Sequence, residues 1–139
     1  MYNVFNSCIS DFSHEGDSED YWYDCAIVDS IEMLNQFSDD DWQLLIRELE
    51  NKPVLWQKRL VECLGGGHNS YEIKIILELI NTEDEDLFIA CIDTLRSLNL
   101  SDLSLETKER FLTRAKLLMM KSKPPVKKVL EEFINKIPS

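Results

Sequence analysis

Nucleophilic catalysis needs a cysteine or serine held against a base. The chain offers two histidines as bases, His14 and His68. His14 lies in an acidic N-terminal stretch, and His68 follows the triplet Gly65-Gly66-Gly67. Cys8, Cys25, Cys63 and Cys91 stand far apart, without the clustered spacing of a zinc site. The glycine triplet lacks the preceding strand and the following Lys-Ser/Thr of a phosphate loop, and reads as a helix stop. Asp17–Asp24 and Asn81–Asp86 are acid-rich, but neither has the glycine and closing glutamate of a calcium loop. Carboxylates are so abundant that no pair stands out for glycoside chemistry. The expectation is a protein that is not an enzyme, with no catalytic residues, no cofactor and no metal.

Charge is the stronger chemical signal. The net charge is −11 and the pI about 4.6. Residues 1–50 hold thirteen acids and one base, Arg47, a balance of −12. Residues 51–100 balance at −3 and residues 101–139 at +4. Such a chain repels nucleic acid and anionic membranes and favours a basic protein partner. The expected partner-binding surface is therefore Asp17, Glu19, Asp20, Asp24, Asp39, Asp40 and Asp41. Three adjacent aromatics, Tyr21-Trp22-Tyr23, cannot all face one helical stripe, since neighbours lie about 100° apart. At least one is expected to be exposed, with Trp22 or Tyr23 as the anchor. Glu62, Glu83 and Asp86 form a second candidate surface.

The elements that must carry these residues read as helices throughout a single domain, 1–139. Residues 1–19 show no helical periodicity and are expected as an acidic arm, pinned by Phe5, Ile9 and Phe12. Residues 20–37 make a first helix with the stripe Tyr23, Ile27, Ile31 and Leu34. Ser38 should cap the next helix, with Asp41 at its third position closing a capping box. Pro53 fits the first turn of a third helix. A fourth, from Ser70 or Tyr71, is apolar nearly all round and is expected at the centre of the core, around Ile76. A fifth runs to about Leu98, and two more fill residues 104–137. No basic leader precedes an apolar stretch, and no apolar run approaches the roughly 18 residues of a membrane span. The cysteines fall mostly inside helical patterns, which fits a reduced cytoplasmic protein without disulfides.

Residues 38–98 hold two similar helix pairs. Sliding the sequence by 31 positions superposes Leu45 on Ile76, Ile46 on Leu77, Leu49 on Ile80, Leu64 on Leu95 and Glu62 on Asp93. A repeated helix pair at this period points to an all-α solenoid, with residues 104–137 as a degenerate capping pair. The pairs, with Trp42 and Trp56 in the first and DLFIACIDTLRSL in the second, resemble HEAT-type repeats. Size, acidity and the segment DWQLLIRELENKPVLWQKRLVECLGGG also resemble the immunity proteins of bacterial contact-dependent inhibition and other polymorphic toxin systems. That resemblance implies an inhibitor that covers the active site of one cognate basic toxin, often a nuclease. The alternative is a HEAT-like adaptor or scaffold subunit.

Overall fold

The structure, a computed structural model, describes residues 1–12, 19–65, 69–98 and 103–136. Among them the chain is all-helical, with eight helices and no strand. Helix α1 is Tyr2–Asp11. Helix α2 spans residues 19–35 as Glu19–Tyr21, a π turn Trp22–Ala26 and Ile27–Asn35, without a break in helical backbone. Then follow α3 (Asp39–Glu48), α4 (Val54–Cys63), α5 (Ser70–Leu79), α6 (Glu85–Leu95), α7 (Leu105–Met119) and α8 (Pro124–Lys136).

Local chemistry sets most of these boundaries. Ser38 and Asp41 form the expected capping box at α3: Asp41 N–H donates to Ser38 Oγ at 3.2 Å, and Ser38 N–H to Asp41 Oδ2 at 3.0 Å. Asn69, Asp84 and Ser104 cap α5, α6 and α7 by accepting first-turn N–H groups. Just beyond α4, Gly65 takes φ +109°, and a Cβ there would meet Ser97 Oγ at 3.0 Å. Only glycine adopts that conformation without strain.

Packing follows alternate helices. α2, α4, α6 and α8 form a row in which each touches the next, and α1 lies over α2, α3 and α4. α5 packs on α6 and α7 on α8, forming a second layer. Trp42 of α3 stacks on Tyr71 of α5, 5.6 Å between centroids and 7° apart in plane. Burial repeats at the offset of 31. Leu45 and Ile76, Leu49 and Ile80, Leu60 and Cys91, Val61 and Ile92, and Leu64 and Leu95 are all buried, while Ile46 and Leu77 are both half-buried.

Three expectations need correction. The N-terminal stretch is not irregular. Tyr2, Phe5 and Ile9 fall at i, i+3 and i+7 and are buried on one face of α1. The central helix is α6, not α5. α6 touches α4, α5 and α8 and buries Leu87, Phe88, Cys91, Ile92 and Leu95, whereas α5 keeps Lys74 and Glu78, one turn apart, on an exposed face. The buried stripe of α2 is Trp22, Ala26, Ser30 and Leu34, not Tyr23, Ile27, Ile31 and Leu34. The π turn, closed by Ile27 N–H on Trp22 O, widens the helix and shifts its register. Ser30 tolerates burial because its Oγ donates to Ala26 O at 2.9 Å and lies 3.2 Å from Cys8 Sγ.

Candidate interaction surface

Arg59 ties the N-terminal helices to the row. It lies on the inner stripe of α4 with Trp56, Leu60 and Cys63, and only 3% of it is exposed. Its Nε donates to Phe12 O at 3.1 Å, just past α1, and its Nη1 donates to Glu62 Oε1 at 3.1 Å. The guanidinium sits over the Trp22 ring at 5.3 Å and the Tyr23 ring at 5.6 Å, so cation–π attraction adds to the ion pair. The Tyr23 hydroxyl donates to Glu62. Burial, then the hydrogen bond to Glu62 and its charge, push the Tyr23 hydroxyl up to about 12, with Arg59 opposing. Sequence analysis passed over Arg59; the available signal was a base at i+3 from Trp56 inside an inward stripe.

The expected partner-binding residues fall into distinct groups. Asp17 lies outside the described residues, and Glu19 opens α2. Asp20 and Asp24 are exposed. Trp22 is not an exposed anchor: it is 0% exposed, packed beside Phe12 under Arg59. Tyr23 keeps part of its ring in solvent while its hydroxyl is tethered. In the run after Ser38, Asp39 accepts from the Tyr71 hydroxyl at 3.1 Å and Asp40 is exposed. Asp41 is committed to structure. It closes the capping box and accepts Tyr2 N–H at 3.3 Å; these bonds, Ser38 N–H first, hold its carboxyl below the usual range. Glu83 and Asp86 are exposed around the start of α6, and Glu62 is half-buried.

The row of even helices brings Tyr23, Glu62 and Asp86 together. They line one open groove of about 710 Å³ between α2, α4, α6 and α8. Ile27, Leu64, Ile89, Val126 and Val129 supply its apolar wall. Asp93, the repeat partner of Glu62, also lines it, bonded to Arg96, which in turn bonds Glu132 of α8. Lys58 and Arg96 offset part of the acid, so the groove is amphipathic rather than strongly anionic.

The outer face of α2, bordering that groove through Tyr23, is anionic. Tyr21 is 56% exposed, Val28 59% and Ile31 37%. Asp20, Asp24, Asp29 and Glu32 surround them, and α2 contains no base. None of these four acids has an ion-pair partner among the described residues. Exposed apolar side chains ringed by uncompensated carboxylates suit a cationic, partly apolar counterpart. Asp29, Glu32, Val28 and Ile31 were missed in the sequence because α2 was assigned the wrong inner stripe.

Among the described residues no group of three or more His, Cys, Asp or Glu side chains could hold a metal ion. His14 and His68 lie outside them. Among those residues no helix is long and apolar enough to cross a membrane. Compared with known proteins, the chain matches no protein family, no curated protein sequence and no solved structure.

Proposed function

We propose that this protein is a cytoplasmic immunity protein, a short solenoid of HEAT-like helix pairs that binds a cognate basic toxin domain and covers its active site. The observation that carries this reading is the cation-free acidic and apolar face of α2 beside the amphipathic groove. A nuclease must hold phosphates, so its cleft is basic. Asp20, Asp24, Asp29 and Glu32 can occupy such a cleft and exclude substrate electrostatically, while Tyr21, Val28 and Ile31 supply apolar contact. Neither step needs chemistry from the inhibitor. The repeat of burial at 31 residues supports the solenoid, and it equally suits an adaptor subunit, the second reading.

The two readings differ in one experiment. The protein is mixed with the toxin domain encoded beside it, and both nuclease activity and binding kinetics are measured across ionic strength. Inhibition at one-to-one stoichiometry is expected. D24K/D29K/E32K should slow association about tenfold or more and flatten its salt dependence, because complementary charge acts mainly on encounter. Binding without loss of nuclease activity would favour the adaptor. A triple variant that folds and inhibits like the parent would remove α2 from the interface.

A further inference from the structure

Exposed apolar side chains among unpaired like charges occur a second time, with the opposite sign. Residues 110–130 contain seven bases and no acid. Three of the seven are engaged: Arg110 with Asn81, Arg114 with Ile80 O and the Phe88 ring, and Lys121 with Glu85. Lys116, Lys123, Lys127 and Lys128 are exposed, with no ion-pair partner among the described residues. Between them, at the end of α7, Leu117 is 63% exposed and Met120 84%. Four unpaired cations around two apolar side chains thus match four unpaired acids around three on α2.

We propose that the basic patch of α7–α8 docks on the acidic face of α2 in a second copy of this chain. Charge and apolar content are complementary, and no ion pair within one chain joins the two sets. α2 begins the row of even helices, while α7 packs on α8 at the row's far end, so each molecule presents both faces to solvent. In a pair related by a two-fold axis, each molecule's patch meets the other's α2, and both contacts form at once. A polyanion such as RNA or an anionic membrane would face the same lysines, but it would be opposed by the net −11 of the rest of the chain. The counterpart on α2 carries its acids in one compact face, and at physiological salt, screening over about 8 Å lets such local complementarity outweigh distant repulsion.

The inference stands whether or not the partner is a toxin. If it is, the second copy and the toxin contend for one surface, and the free protein keeps its acidic face covered.

Sedimentation velocity tests it over a wide concentration range, at low and at high salt. The wild type should exceed the chain's 16.3 kDa at high concentration in low salt and return to it in high salt. K116E/K123E/K127E and D24K/D29K/E32K, each shown folded by circular dichroism, should each weaken self-association at least about tenfold. Mixed together they should associate again, although both stay net negative, because the acidic face of the first meets the intact patch of the second. L117S/M120S should weaken association without altering its salt dependence. A wild type monomeric throughout, or reversal variants that associate like the wild type, would overturn the proposal. So would a monomeric wild type that binds single-stranded RNA or phosphatidylserine vesicles and loses that binding in K116E/K123E/K127E, which would assign the patch to a polyanion.

Discussion

Replacing Arg59 with methionine keeps most of the side chain's volume and removes its charge. The Phe12 carbonyl then loses its donor, and Glu62 keeps only the Tyr23 hydroxyl. An orphaned buried acceptor costs about 1–3 kcal/mol. Breaking a fully buried ion pair from one side costs about 3–5 kcal/mol. Here the lower end applies, because the Glu62 side chain is 16% accessible against 3% for Arg59, and water can partly rehydrate it. The cation–π contacts with Trp22 and Tyr23 add to the loss, but they overlap with the ion pair and are not counted separately. R59M should therefore lose about 3 kcal/mol. With a urea slope near 2 kcal/mol/M, typical of small proteins, the unfolding midpoint should fall by about 1.5 M. R59M/E62Q should recover part of that loss, since it removes the unpaired carboxylate. Hydrogen exchange should quicken along residues 19–35, because Arg59 is what fastens α2 to α4. An R59M midpoint within about 0.5 M of the parent, or a double variant no more stable than R59M, would refute the reasoning.

Three further outcomes follow from burial and titration. W22A should cost about 3–5 kcal/mol in urea unfolding, as a fully buried aromatic, whereas Y21A should cost under about 1 kcal/mol; a parental midpoint for W22A would return Trp22 to the surface. A thiol reagent should label exposed Cys25 first and half-buried Cys8 next. Cys63 and Cys91 should react only after denaturation, since burial pushes both thiols up, Cys91 to about 12. The Tyr23 hydroxyl is raised from 10.0 to about 12, above its unfolded value. Its contribution to stability is therefore intact below about pH 10 and is lost as the pH rises towards about 12. Y23F should flatten that part of the alkaline unfolding curve, and an unchanged curve would show that the hydroxyl contributes nothing.

Helix type and many boundaries were legible because they rest on short-range chemistry. Ser38 with Asp41, Pro53 and Gly65 each act within a turn of themselves, and the offset of 31 links positions of matching burial in the two helix pairs. α1 was not legible because it lacks such marks: no side chain caps it and its first turn holds no acid, so only Tyr2, Phe5 and Ile9 betray its face. The inner stripe of α2 was misread because apolarity ranks Ile31 above Ser30. A hydroxyl bonded to the preceding turn and a widened turn reverse that order. On the candidate surface, Asp20, Asp24 and Tyr23 were visible as charge and aromaticity. Their separation from Trp22 and the commitment of Asp41 depend on contacts with Phe12, Arg59 and Tyr2, which lie 10 to 39 residues away in the chain. Distances of that kind leave no local pattern.

The π turn at Trp22–Ala26 also constrains how this chain can change by insertion and deletion. Five residues fill a turn where an α-helix would use about 3.6. Residues 19–21 and 27–35 are thus out of step by about one position. Removing a single residue there would restore an unbroken α-helix and rotate one half by about 100° against the other. Trp22 would leave its place beneath Arg59, or Ser30 and Leu34 would turn outward and Val28 and Ile31 inward. A descendant that loses a residue in this turn must therefore redraw its buried stripe on one side of it, and with that stripe the acidic face that α2 shows to solvent.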